Sequence, residues 1–509
     1  MSRPSPHDRC AGLMVPLFSL RSEYDVGIGE ILDLIPLARW AARVGQRVIQ
    51  LLPINETAPG EASPYNAMSA FAIDPVYISL RAVPDAGSIS PMPADGERLP
   101  REAIRSAKML ALAAAFESFQ RRPRDEPLAA FRAFVEANRD WLDDYALFHA
   151  IKEARDFAPW DTWPMRLRDR DRAALRRAAR RFASRIEFLR YVQWIAALQW
   201  AEVRRAAAAV GAWLKGDLPF VLGRDSADVW TRQDEFDPRY SVGAPPDEFS
   251  ATGQSWNLPM YEWPRVRASD FAWWRRRAHH GSTLYDLFRI DHIIGFFRTW
   301  AMPVDAADAP RFVPGDEAAQ RAQGEAFLRA IGEAAGEALP MAEDLGTVPQ
   351  WVRAVLHAFG VPGYKVFRWE RDDHEYRDPR RFDPLSVVTT GTHDTDTLVE
   401  WWFGLSPTER RNALRVLDLG ADASEPVLSR PLREQMLARL YDAGSAWIIL
   451  PIQDVFGWTG RINVPATPSA QNWNWRMPVA VDRLDADPVI RELTAWLRPA
   501  AVASARLHE

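Results

Sequence analysis

The sequence predicts an α/β chain built as a (β/α)8 TIM barrel with large inserted subdomains, and three observations predict it. Eight short β-type runs recur along the chain, each ending in polar or charged residues. Helical patterns separate most of them, which is the signature of a parallel sheet with crossovers. The 509 residues amount to roughly three typical domains of ~150 residues, room enough for one barrel that carries insertions.

In chain order the runs are 14–18, 47–54, 213–220, 287–292, 339–345, 363–369, 387–394 and 447–454. Eight such units close a barrel whose active groups belong at the C-terminal ends of its strands. One helix start is sharply marked: Ser406 can cap, Pro407 fits the first turn and Glu409 completes a capping box. Two interruptions break the even spacing. Residues 82–210 are rich in Ala and Arg with helical periodicity, Leu142, Tyr145, Ala146 and Ala150 sharing one face. They read as an inserted helical subdomain, and Arg176, Arg177, Arg180 and Arg181 as its solvated surface. Residues 223–275 are rich in Pro, Trp and Asp with little periodicity, the composition of an ordered loop subdomain over the barrel mouth.

Composition excludes several function classes. Lys plus Arg, 63, against Asp plus Glu, 68, leaves a net charge of -5, so no global positive field draws in nucleic acid or acidic lipid. No run approaches the ~20 apolar residues of a membrane span. The start lacks an apolar secretion segment, and the lone Cys10 can form neither an internal disulfide nor a thiolate cage. A cytoplasmic enzyme without metal or cofactor is the expectation. The aromatic count is unusual, with 22 Trp, 11 Tyr and 24 Phe. Indole faces stack on sugar rings or on bases, and the charge balance disfavours bases.

Carboxylates end four separate strands: Asp217, Asp291, the pair Glu343 and Asp344, and Asp394, with Arg289 and His393 beside them. One such Asp is ordinarily the N-cap of the next helix. Convergence of four on one rim is harder to attribute to capping. Crowded carboxylates push a proton onto one of them, which can then act as general acid while another stays ionised as nucleophile. Together with the aromatics, this favours acid and base work on a neutral sugar. Metal-assisted hydrolysis is disfavoured, since no His pair has ligand spacing.

Further motifs stand in order: Ser63-Pro64-Tyr65, Gly216-Asp217-Leu218-Pro219, the segment 225–230, Pro245-Pro246-Asp247, Gly253-Gln254-Ser255-Trp256, Arg289-Ile290-Asp291-His292, Ala342-Glu343-Asp344-Leu345-Gly346, Gly391-Thr392-His393-Asp394 and Asn472-Trp473-Asn474-Trp475-Arg476. Over almost its full length the chain resembles the amylomaltases, the 4-α-glucanotransferases (disproportionating enzymes) of the α-amylase clan. The resemblance implies a retaining double displacement with Asp291 as nucleophile, Glu343 as general acid and base, and Asp394 steadying the transition state. Arg289 would keep Asp291 ionised, His393 would bind hydroxyls of the reacting glucose, and Tyr65 would stack beneath it. Ser63, Gln254, Trp256 and Asn463 complete the implied substrate contacts, with Asp217 among them as a support. The implied partners are α-1,4-glucan oligosaccharides and glucose. Glu248, Asn257, Leu258 and Thr395 depart from the family's usual residues. A hydrolase or phosphorylase of the same clan, or a catalytically silent glucan-binding protein, are the alternative readings. If the mechanism retains configuration, the carboxyl groups of Asp291 and Glu343 lie about 5–5.5 Å apart.

Overall fold

The computed structural model describes residues 3–92, 98–122, 124–246, 253–305, 308–373, 375–465, 467, 469 and 471–507. Asp247 and Glu248 lie outside the described residues. Eight parallel strands form one sheet: β1 (Cys10–Met14), β2 (Val48–Gln50), β3 (Trp213–Leu218), β4 (Leu287–Ile290), β5 (Leu339–Ala342), β6 (Gly363–Val366), β7 (Ser386–Thr389) and β8 (Trp447–Pro451). The order of pairing is β6-β7-β8-β1-β2-β3-β4-β5. The seam between β5 and β6 is stitched by Ala342, whose amide donates to the Pro362 carbonyl at 2.8 Å. Next to it the Tyr364 amide donates to the Asp344 carboxylate at 2.6 Å. The sheet thus closes as a (β/α)8 barrel.

The strands are short apolar runs buried on both faces, as a parallel sheet flanked by helices requires. All eight expected runs contain or adjoin a strand. The first is displaced: the expected 14–18 gives way to Cys10–Met14, because Pro16 lacks a donor for the ladder and the chain turns at Leu17–Ser19. Small residues in Cys10-Ala11-Gly12 hid the strand. Gly216 precedes Asp217 because a Cβ there would sit 2.2 Å from the Tyr285 ring.

Between β2 and β3 the chain forms the helices Arg101–Arg121, Asp125–Ala137, Arg139–Glu153, Met165–Arg168, Arg172–Arg181 and Ala183–Ala209. The predicted stripe of Leu142, Tyr145, Ala146 and Ala150 is buried, while Arg176, Arg177, Arg180 and Arg181 are exposed. The Ser406 capping box is present with Pro407 in the first turn.

The segment expected as aperiodic loop is more regular than its sequence reads. Phe236–Ala244 and Gln254–Tyr261 pair antiparallel, and Thr299–Pro303 and Arg311–Val313 extend them into a four-stranded sheet. Register shifts between Asp237 and Ser241 and between Val242 and Gly243 break the alternation that would have revealed it. Among the described residues no helix is long and apolar enough to cross a membrane.

Candidate active site

Arg289, at the third position of β4, is the hub of the rim. One of its terminal nitrogens, Nη1, lies 2.9 Å from both oxygens of Asp217 and 2.7 Å from Asp291 Oδ1. The other, Nη2, lies 3.7 Å from Glu343 Oε2. A single buried guanidinium therefore gathers three carboxylates from three successive strand ends. Lys215, two residues before Asp217 and so on the same face of β3, is fully buried and donates to the Tyr364 hydroxyl at 2.6 Å. That hydroxyl donates onward to Gln50 at 3.2 Å. The barrel interior beneath the rim is thus polar and tied across its width.

The carboxylates differ in what remains open. Asp217 is 2% exposed, and its oxygens take Arg289 and the Tyr65 hydroxyl, which donates at 2.7 Å. With both oxygens on Arg289 and one also on Tyr65, it braces the site, in keeping with its expected place as a support. Asp291 keeps 22% of its side chain exposed; beyond Arg289, Oδ2 accepts from the Phe220 amide at 3.3 Å. Glu343 accepts from the His292 amide at 2.8 Å and the Leu345 amide at 3.0 Å. His292 reaches that position with φ 46°, a left-handed strain of the kind held at functional sites. Burial, reinforced by the neighbouring Asp291 charge, pushes the Glu343 carboxyl up to about 8 against the opposing pull of Arg289. Asp344, the other acid on this strand end, is turned away. It stitches the barrel seam and pairs with Arg353 at 3.1 Å, a structural place other than the N-cap a strand-end acid ordinarily takes, since Pro349 precedes the next helix.

Asp394 follows β7 and is linked to the hub through His393, which stacks on Tyr65, whose hydroxyl holds Asp217. Burial would raise its carboxyl, but His393, 3.3 Å away, and the Asn463 amide, donating at 2.6 Å, outweigh burial and bring it down to about 2. Arg289 contributes to the same lowering, which places Asp394 within its field. Thr395, a departure from the family pattern, has its hydroxyl on the Thr392 carbonyl at 3.0 Å and takes the Thr392 amide at 3.1 Å, closing the turn that presents His393 and Asp394.

The Tyr65 ring stacks on the imidazole of His393 at 5.1 Å. Ser63 serves the turn itself: its hydroxyl accepts from the Tyr65 amide at 3.4 Å. Trp256 sits edge-to-face with His292, ring centres 4.8 Å apart, beside the backbone that holds Glu343. Gln254 begins the same strand and is partly buried. Tyr261 and Trp263 are buried, donating to the Phe220 carbonyl at 2.6 Å and the Thr299 hydroxyl at 3.0 Å, so they fasten the side sheet to the barrel. Asn257 has φ 55°, a left-handed position that Asn tolerates. Two residues without a role in the sequence reading stand at the site. Trp369, 51% exposed, lines a cavity of about 460 Å³ with Asp394, Trp401 and Arg461. Trp473 packs against both Tyr65 and His393. An aromatic just past a strand end was the available signal for Trp369. Among the described residues there is no group of three or more His, Cys, Asp or Glu side chains arranged to hold a metal ion.

The chain shows extended similarity to known proteins. The sequence profile described as 4-alpha-glucanotransferase matches residues 15–482. The 4-alpha-glucanotransferase of Thermus thermophilus is 36% identical over 495 residues, 92% of this chain and 95% of that protein. The 4-alpha-glucanotransferase of Chlamydia pneumoniae is 33% identical over 494 residues, 93% and 92% of the two chains. Among solved structures, amylomaltase from Streptococcus agalactiae in complex with acarbose superposes with a TM-score of 0.86 at 26% identity, covering 98% of this chain and all of that one. The profile spans all eight barrel strands except the first, and the chain belongs to the 4-alpha-glucanotransferase family.

Proposed function

We propose that this 4-α-glucanotransferase carries out transfer between α-1,4-glucans at the Arg289 hub by a retaining double displacement. Asp291 is the nucleophile, Glu343 the general acid and then base, and Asp394 the third carboxylate. The observation that carries the reading is that one guanidinium stands in unlike relation to two carboxyls. Asp291 is in direct contact with it at 2.7 Å, whereas Glu343, 3.7 Å away, is pushed up to about 8.

In the first step Glu343 protonates the glycosidic oxygen as Asp291 attacks the anomeric carbon, forming a covalent glycosyl-enzyme and freeing the reducing-end fragment. In the second, Glu343 takes the proton from the 4-hydroxyl of an incoming glucan, which displaces Asp291. Asp394, ionised at neutral pH, offers negative charge to the cationic sugar ring, and Asn463 and His393 fix its direction. Ser63, Tyr65, Gln254 and Trp256 line the approach. Residues 82–210 and 223–275 are insertions on one catalytic barrel, the second covering the cleft. Its reading as a cytoplasmic enzyme belongs to the same proposal.

Incubation with maltotriose tests this. Glucose together with a ladder of longer maltodextrins is expected. Glucose and maltose alone would mean hydrolysis, and a phosphate-dependent sugar phosphate would mean phosphorolysis; either overturns the reading.

A further inference from the structure

The segment 472–477 is strapped across the barrel mouth from two sides. Arg101, the first residue of the helix Arg101–Arg121, donates from Nη2 to the Trp473 carbonyl at 2.6 Å. The Leu99 amide donates to the Asn474 side chain at 2.9 Å. On the other side Arg476 reaches the Leu20 carbonyl at 2.9 Å and Asp25 at 2.6 Å, and the Met477 amide donates to Ser19 at 2.9 Å. At the centre Trp473 takes φ 63°, a conformation costly for a bulky residue and retained only when its surroundings over-determine it.

The strain delivers a ring. Trp473, 7% exposed, lies with its centre 5.8 Å from both Tyr65 and His393, which are themselves stacked. The three rings form one packed unit. At one end the Tyr65 hydroxyl holds Asp217; at the other His393 Nε2 faces Asp394 at 3.3 Å. An imidazole beside a loop can pivot about its side-chain torsions, and here Tyr65, nearly parallel at 20°, and Trp473, tilted at 36°, pack against it together and limit that pivot.

The geometry points to Trp473 as a positioning residue for the transfer reaction: clamped by Arg101 of the helical insertion, it sets the plane of His393 and so the contact of His393 with Asp394. This rests on the proposed role of the Arg289 hub and adds to it a residue that touches no reacting atom. It also gives the insertion between β2 and β3 a part in the chemistry, through one guanidinium and one carbonyl.

The test compares variants on maltotriose after the wild type has been shown to form the ladder; a wild type that forms none fails the functional reading, not this one. Trp473→Ala is expected to lower kcat about 30-fold with KM within about twofold, and Trp473→Phe to recover to within about threefold of wild type. Affinity for acarbose, used as a charged half-chair probe, should fall with kcat. In a His393→Ala background, Trp473→Ala should cost less than about twofold more, since it acts through that ring. Arg101→Met is expected to cost about fivefold in kcat and Arg101→Lys less; these two decide the matter should Trp473→Ala fail to fold. Wild-type kcat in Trp473→Ala, no advantage of Phe over Ala, or full additivity with His393→Ala would overturn the proposal.

Discussion

Two buried clusters in this protein are built to the same recipe, carboxylates around one arginine, and leave their glutamates in opposite states. At the rim Arg289 gathers Asp217, Asp291 and Glu343. In the seam between the β2 loop and the helical insertion, Arg105 gathers Asp74 at 3.0 Å and Glu56 at 3.7 Å. Glu56 is also held by the Tyr145 hydroxyl and by His149 at 3.1 Å, while Asp74 takes the Val76 amide at 3.0 Å. Burial opposes the charge on Glu56, yet His149 and Arg105 overcome it and hold the carboxyl below its ordinary value. Glu343 has two backbone amides and a distant guanidinium, so burial wins and the proton stays. Between these two glutamates it is satisfaction, not composition, that separates the structural acid from the reactive one, while Asp74, held by Arg105 and two amides, is still raised by burial.

The sharpest way to break the comparison is to neutralise the open cluster. Asp291→Asn is expected to lower transfer by about 10⁴-fold or more, as loss of a nucleophile does in double-displacement chemistry. It should form no adduct with an activated glycosyl fluoride by mass spectrometry. Glu343→Gln should still load Asp291, because the fluoride leaves without an acid. An adduct on Asp291→Asn equal to wild type would move the nucleophile elsewhere.

The closed cluster should fail differently. Arg105→Met leaves Glu56 and Asp74 buried without their shared cation, a loss of about 3–5 kcal/mol, read as a lower urea midpoint. Activity per folded enzyme should stay within about threefold, since Arg105 contacts no rim residue. His149, raised by its contacts with Glu56 and Glu153 against burial, adds stability that is present at low pH and lost as pH rises through its folded value.

How much of this was legible follows from the same contrast. The rim was readable because barrel strands end where chemistry occurs, so Asp217, Asp291, Glu343 and Asp394 drew notice as strand-end acids. Glu56 and Asp74 drew none: they sit in a loop, and their partners Arg105, Tyr145 and His149 come from helices far along the chain. Asp344 is structural but not as the helix cap a strand-end acid ordinarily makes: its seam with Tyr364 and Arg353 depends on barrel closure that no local pattern encodes. Trp473 was seen as part of a motif, but its place against His393 depends on Arg101, 372 residues away in sequence. The side sheet was missed because bulges at Asp237 and Val242 break the period of two on which strand reading depends.

The protonated state of Glu343 sharpens the comparison through pH. Its carboxyl sits at about 8 in the folded protein against an ordinary 4.5, so the acid needed for the first step is lost above about pH 8. An alkaline limb in kcat/KM near that value is expected. The stability sign is the reverse of a paired acid's: unfolding releases the proton, so Glu343 costs stability increasingly as pH rises from about 4.5 to about 8. Glu343→Gln should therefore match the wild-type melting temperature near pH 4 and exceed it at pH 8.5. Equal melting temperatures at both values would mean that Glu343 ionises without penalty.

The smallest expected effect concerns what covers the open cluster. A glycosyl-enzyme on Asp291 faces water at very high concentration, so transfer prevails only where an acceptor sugar is bound well and a lone water is poorly placed. Tyr261 and Trp263 are committed to fastening the side sheet, which leaves Trp256, partly exposed and packed edge-on to His292, as the aromatic beside Glu343. Removing its ring opens the approach from that side while leaving Asp291, Glu343 and Arg289 in place. Trp256→Ala is expected to raise the ratio of hydrolysis to transfer on maltotriose about three- to tenfold, with donor cleavage reduced by less. The ratio is read from glucose and maltose release against longer products. An unchanged ratio with both activities falling together would make Trp256 a packing residue for His292, and the water exclusion would then have to come from another wall of the cleft.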